Sequence, residues 1–98
     1  MDKEAIIEVL RKHKEEWHNR YGITSLTLFG SMATDQATPD SDVDLIYEKE
    51  KTYKMTYQKY IAFIRELEAV LGRPVDLVFK DEIDPIIEYY ARESLIPI

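Results

Sequence analysis

The stretch from Gly30 to Asp44 constrains this chain more than any other. An apolar run, Leu26-Thr27-Leu28-Phe29, leads into it through Gly30-Ser31, and Ser41-Asp42-Val43-Asp44 leads out of it into a second apolar run. One strand must therefore stop at a glycine, and the next must open on paired acids. Small residues after a strand let backbone N–H groups approach an anion, because nothing projects from the glycine. Residues i and i+2 of a strand face the same way with Cα atoms about 6.5–7 Å apart, which puts Asp42 and Asp44 on one face. An anion cradle followed by a carboxylate pair is what metal-assisted phosphoryl or nucleotidyl transfer requires.

The rest of the chain supplies helices to cover such a sheet. Lys3 to about Tyr21 reads as an amphipathic helix with Asp2 as N-cap and an apolar face of Ile6, Leu10, His13 or Lys14, Trp17 and Tyr21. Gly22 stands where a left-handed C-terminal residue is wanted. Thr24–Phe29 and Asp42–Tyr47 read as strands, with a short helix starting at Ser31 and a turn-rich loop from Gln36 to Asp40 between them. Thr52–Leu71 is the longest helical pattern, with Tyr53, Tyr57, Tyr60 or Ile61, Ile64, Leu67 and Leu71 at three- and four-residue steps. A helix-spaced aromatic stripe of this kind is more often core than a base-stacking surface.

Gly72 ends that pattern, Arg73-Pro74 leads into a third strand, Val75–Phe79, and Asp81–Leu95 reads as a last helix. Pro85 lies in its first turn, and Ile86, Ile87, Tyr90 and Leu95 are expected on its packed side. Helices alternating with three strands imply an α/β or α+β fold, a small mixed sheet flanked by helices. His13 and His18 read as ordinary surface histidines.

With 98 residues the chain is expected to form one domain, residues 1–98, around one core. Hydrophobic residues make up 45% and charged ones 33%, a globular mixture. There is no cysteine, which excludes disulfides and thiolate metal sites. No apolar run reaches the length of a membrane span, and the amino terminus lacks a signal pattern, so a cytoplasmic location is expected. A net charge of −6 argues against direct binding of duplex nucleic acid, though not against a nucleotide arriving with its cations.

Val75-Asp76-Leu77-Val78 sets an acid inside an otherwise apolar strand, where a lone carboxylate is costly unless solvated or paired. If this strand neighbours the second one, Asp76 comes beside Asp42 and Asp44. Three carboxylates about 4 Å apart repel by roughly 4 kcal/mol per pair at an effective dielectric of 20, so the cluster makes sense only with cations bound. Oxygen ligands select Mg²⁺ or Mn²⁺ over zinc, and two such ions would activate an attacking hydroxyl and stabilise the leaving pyrophosphate. Asp42, Asp44 and Asp76 are the expected catalytic residues and metal ligands. Gly30, Ser31 and Ser41 are the expected nucleotide-binding residues. The competing reading makes Asp42 a turn residue and Asp44 a surface position, because eight aspartates make a chance Asp-x-Asp common.

At Gly30, Ser31, Asp42, Asp44 and Asp76 the chain resembles the nucleotidyltransferase superfamily related to DNA polymerase β, and most closely its minimal MNT-type group. The resemblance covers nearly the whole chain. It implies the small mixed sheet flanked by helices, ATP as substrate and Mg²⁺ as cofactor. It also implies a partner, because many minimal members are antitoxins of an all-helical HEPN ribonuclease toxin, and some silence it by moving AMP onto a toxin tyrosine. Met32 and Asp35 depart from the group, which commonly carries an Arg or aromatic residue after the serine and a glycine a few residues on. The alternatives are an antitoxin that acts by binding alone and a small-molecule, aminoglycoside-type nucleotidyltransferase.

Overall fold

Asp2 starts the first helix, its carboxylate accepting the N–H of Ala5 at 2.9 Å. Helix α1 then runs Lys3–Tyr21 and closes at Gly22, whose N–H reaches back to His18 O at 2.9 Å. Ile6, Leu10, Trp17 and Tyr21 are its buried residues, as the periodicity predicts. In this computed structural model residues 2–98 are described, except for the side chains of residues 87, 90, 91 and 93.

Four strands form one mixed sheet in the order β3-β2-β1-β4: β1 Ile23–Phe29, β2 Val43–Lys49, β3 Val75–Phe79 and β4 Ile96–Pro97. β1 pairs antiparallel with β2 and with β4, while β2 and β3 are parallel and joined through helix α2, Tyr57–Leu71. The register makes two rows across the sheet. Leu28, Leu45 and Leu77 stand side by side and are almost fully buried, facing the helices. One residue away, Phe29, Asp44 and Asp76 form the parallel row on the opposite face. A slip of one residue would exchange the rows and bury the aspartates, so burial of the leucines fixes where the acids go.

α2 begins five residues later than its pattern predicts. Thr56 caps it by accepting Lys59 N–H at 3.2 Å. Tyr53 falls outside the helix, its hydroxyl donating to Arg20 O at 3.2 Å. The expected tyrosine stripe is thereby broken up: Tyr57 is 78% exposed, while Leu67 and Leu71 are buried as predicted, with Phe63 in place of the first tyrosines. Phe63 packs against Trp17 and Tyr21 with ring centroids 5.5 and 5.0 Å away. Beside them the Glu66 carboxylate accepts from Tyr21 Oη and from Arg20.

β3 is an edge strand, and α2 covers its edge. Pro74 O pairs inward with Val43 N–H at 2.9 Å, so the backbone groups of Val75 and Leu77 point outward. Glu68 accepts Val75 N–H at 3.0 Å, and the Tyr60 hydroxyl donates to Leu77 O. These bonds blunt the edge against pairing with another chain and brace the backbone on both sides of Asp76.

The single helix expected over Asp81–Leu95 is replaced by shorter pieces. A 3₁₀ turn, Lys80–Glu82, precedes helix α3, Pro85–Ala91; a second, Arg92–Ser94, precedes β4. Asp84 caps α3 by accepting Ile86 N–H at 2.8 Å, with Pro85 in the first turn as predicted. These start signals fix the helix late and leave room for a fourth strand. Ile86 is 65% exposed rather than packed, Leu95 is half-buried, and the expectations for Ile87 and Tyr90 lie outside the described side chains.

Candidate active site

Asp44 and Asp76 are register partners on neighbouring parallel strands, so the sheet itself sets them side by side. Asp42 comes close by a different route. β2 starts at Val43, so Asp42 is the last residue of the preceding loop and exposed, rather than the first residue of a strand. The sheet fixes two of the acids; a loop delivers the third.

Gly30 ends β1 with φ +75, and its α-carbon lies against Asp44. A Cβ built there would fall 2.2 Å from Asp44 Oδ2, closer than atoms can stand. Only glycine allows β1 to pass so near that carboxylate. The predicted short helix at Ser31 is a hydrogen-bonded turn: Ala33 and Thr34 N–H groups donate to Gly30 O at 3.1 and 3.2 Å. Among the described residues no backbone acceptor takes the N–H of Ser31 or Met32.

The two departures from the expected loop have physical places. Met32 is 4% exposed and belongs to the core. Asp35 has φ +60, the conformation for which a glycine is usual and which Asp tolerates better than most residues. Its carboxylate is paired with Lys3 at 3.0 Å, so the added acid carries its own counter-charge. The Ser41 hydroxyl is used inside the loop, where it accepts Thr38 N–H at 2.8 Å.

The electrostatics follow from the juxtaposition. Burial, then the nearby carboxylates of Asp76 and Asp42, push the Asp44 carboxyl above its ordinary range. Among the described residues the ion pairs are Lys3–Asp35, Arg20 with Glu16 and Glu66, and Lys80–Glu48, and none reaches these three aspartates. No three acidic or imidazole side chains among the described residues are gathered tightly enough to form a ready-made cation cage. The donor set is nevertheless oxygen-only, with Asp44 partly buried and Asp42 and Asp76 open to solvent, which fits Mg²⁺ or Mn²⁺ and not zinc.

Neither histidine takes part. His13 Nδ1 lies 2.8 Å from Val9 O with its ring stacked on Trp17, and His18 Nδ1 lies 3.1 Å from Ile23 O. A cavity of about 510 Å³ also lies apart from the acids. Tyr47, Tyr60, Leu77 and Phe79 line it, beyond the other ends of β2 and β3 and on the helix-facing side. Sequence reasoning missed Arg73, whose guanidinium Nη1 donates to Thr38 O, Pro39 O and Ser41 O at 2.9, 3.4 and 3.1 Å. A lone basic residue in Gly72-Arg73-Pro74, just ahead of the strand that carries Asp76, was the available signal.

The chain is similar to known proteins. A family model described as a nucleotidyltransferase domain matches residues 10–96. The protein adenylyltransferase MntA of Thermococcus cleftensis is 38% identical over 80 residues, which is 82% of this chain and 79% of MntA. A solved chain assigned as a minimal nucleotidyltransferase superposes with TM-score 0.77 at 28% identity, covering 100% of this chain and 97% of its own. At the level of fold alone, so does a chain of the complex between a tri-AMPylated Shewanella oneidensis HEPN toxin and its MNT antitoxin. It has TM-score 0.58 and 19% identity, covering 97% of this chain and 66% of its own. No helix among the described residues is long and apolar enough to cross a membrane. The chain belongs to the nucleotidyltransferase domain family, as an enzyme of its minimal MNT type.

Proposed function

We propose that this nucleotidyltransferase moves AMP from ATP onto a tyrosine hydroxyl of a HEPN-type ribonuclease toxin, and so acts as that toxin's antitoxin in the cytoplasm. The observation that carries the reading is the in-register pair of Asp44 and Asp76 with Gly30 packed against it. These carboxylates repel one another, and no described lysine or arginine forms an ion pair with them. Bound cations would relieve that repulsion.

Asp42, Asp44 and Asp76 would hold the metal, which when bound neutralises the phosphates and stabilises the departing pyrophosphate. Gly30 and the backbone and hydroxyl of Ser31 receive the β- and γ-phosphate oxygens, and Ser41 is the third nucleotide-binding residue. The acceptor oxygen forms a bond to the α-phosphorus, the bond to the β-phosphate oxygen breaks, and pyrophosphate leaves. Asp76 takes the proton that the acceptor hydroxyl gives up. The names of the relatives support the choice of AMP and of a HEPN partner.

A second reading, an antitoxin that silences by binding alone, draws on the absence of a ready-made cation cage among the described residues. One experiment separates the two. The purified chain and its Asp44→Asn variant are each incubated with Mg²⁺, α-labelled ATP and an extract of the host. The expected result is label on one protein with wild type only. Label transfer by Asp44→Asn at the wild-type rate overturns the metal assignment, and no label from either version supports binding alone.

A further inference from the structure

We propose that Arg73 is the positioning residue of this site: its side chain sets where the loop delivers Asp42, and thereby the affinity for a divalent cation. The inference rests on the reading of Asp42 as a metal ligand.

Asp42 hangs between two anchors, and both come from one dipeptide. On one side the Arg73 guanidinium holds Ser41 O at 3.1 Å, and on the other Pro74 O holds Val43 N–H at 2.9 Å. Two residues further along the same chain is Asp76, the register partner of Asp44. The residues that tie down Asp42 thus lead directly into the strand that carries Asp76. Within the loop, the N–H of Ser41 donates to Thr38 O at 3.0 Å, and the Ser41 hydroxyl accepts Thr38 N–H. Among the described residues, the hydrogen bonds that join residues 38–42 to the rest of the protein all come from Arg73. Gly72, at φ +68, turns the chain out of α2 so that Arg73 reaches back across the loop.

The Arg73 charge answers three carbonyl dipoles, since no described ion pair includes it. A guanidinium suits that task because its donors are fixed in a plane and it does not lose its proton. Charge alone and positioning predict opposite signs. Removing a positive side chain near a cation site should by Coulomb's law tighten cation binding. Releasing a ligand from its place should weaken it, by about 10-fold or more where residues that orient metal ligands are lost.

The test uses Mn²⁺ alone as probe, followed by calorimetry, on the full chain and on Arg73→Met, Arg73→Lys, Asp42→Asn and the double variant Asp42→Asn/Arg73→Met. Amide exchange at Ser41 and Val43 is read on the metal-free proteins. Arg73→Met is expected to bind Mn²⁺ about 10-fold more weakly and to exchange faster at both amides. Arg73→Lys is expected to recover part of both losses, and Arg73→Met to add nothing in the Asp42→Asn background. Unchanged or tighter Mn²⁺ binding in Arg73→Met overturns the proposal, as does an equal loss in both backgrounds. Should Arg73→Met fail to fold, Arg73→Lys with wild-type affinity and exchange overturns it equally. If Asp42→Asn alone binds Mn²⁺ as wild type does, the ligand reading has failed and the inference falls with it.

Discussion

Gly30 and Gly72 offer a matched pair for measuring how tightly the fold is built around Asp44. Both sit at positive φ, +75 and +68, so alanine at either pays the same backbone penalty. That penalty is about 1–2 kcal/mol in the left-handed region, reduced by about 0.4–1 kcal/mol because alanine also restricts the unfolded chain. Around Gly72 a new Cβ meets nothing within 4 Å. At Gly30 it meets Asp44 Oδ2 at 2.2 Å and Cγ at 3.0 Å, and Asp is too short to swing clear without leaving its rotamer. An off-rotamer side chain costs about 0.5–1.5 kcal/mol. Gly72→Ala should therefore lose about 1 kcal/mol and Gly30→Ala about 2 kcal/mol, with about 4–8 °C of melting temperature per kcal/mol in a domain of this size.

Urea unfolding followed by circular dichroism reads both losses at equal m-value. Most of the extra loss in Gly30→Ala should vanish in an Asp44→Ala background, because Oδ2 and Cγ are gone and only Cβ, at 3.3 Å, remains. Mn²⁺ affinity should fall in Gly30→Ala and stay at the wild-type level in Gly72→Ala. Equal stability losses in the two alanine variants, or an extra loss that persists in full without the Asp44 carboxyl, would refute the packing of Gly30 on Asp44.

Asp44→Asn is expected to raise the melting temperature of the metal-free protein at pH 7, by less than about 5 °C, and to abolish further stabilisation by Mg²⁺. The sign follows from Asp44 having its folded pKa raised: the fold favours the protonated form, so stability is lost as pH rises through that value. The gain should be absent at acid pH, and melting curves at the two pH values check this. Glu66 behaves the opposite way. Burial alone would raise its pKa, but the bonds from Tyr21 and Arg20 outweigh it and hold the carboxyl below the usual 4.5. Its contribution is full above that value and lost as pH falls through the lower folded one, so Glu66→Gln should flatten the acid limb of the stability curve. Phe63→Ala empties a fully buried site between Trp17 and Tyr21 and should cost about 3–5 kcal/mol in urea unfolding.

The sequence showed the parts of the fold that are periodic and local. Asp2, Gly22 and the spacing of Ile6, Leu10, Trp17 and Tyr21 defined α1 in full, because caps and a helical stripe act within a few residues. Val75–Phe79 was legible for the same reason, through its alternation, and the neighbourhood of Asp44 and Asp76 followed once the two strands were taken as adjacent. What failed depended on contacts distant in sequence. The tyrosines at 53 and 57 keep helical spacing with the residues that follow, yet Thr56 caps the helix after the first of them and leaves the second in solvent. β4 is two residues long and exists only because β1 has a free side to pair with. Asp42 looked like a strand residue, but the strand pairing starts one position later. Arg73 carried no periodicity at all, since its partners are backbone carbonyls more than thirty residues away.

The most direct test of the central claim is the covalent state of the partner. The proposed HEPN toxin would be purified from cells that express it with the wild-type chain or with Asp44→Asn, and its mass and modified residue determined. The expected result is AMP on a toxin tyrosine with wild type, and an unmodified toxin with Asp44→Asn. An unmodified toxin held equally well by both versions would contradict transfer and leave this member of the family an antitoxin by binding alone.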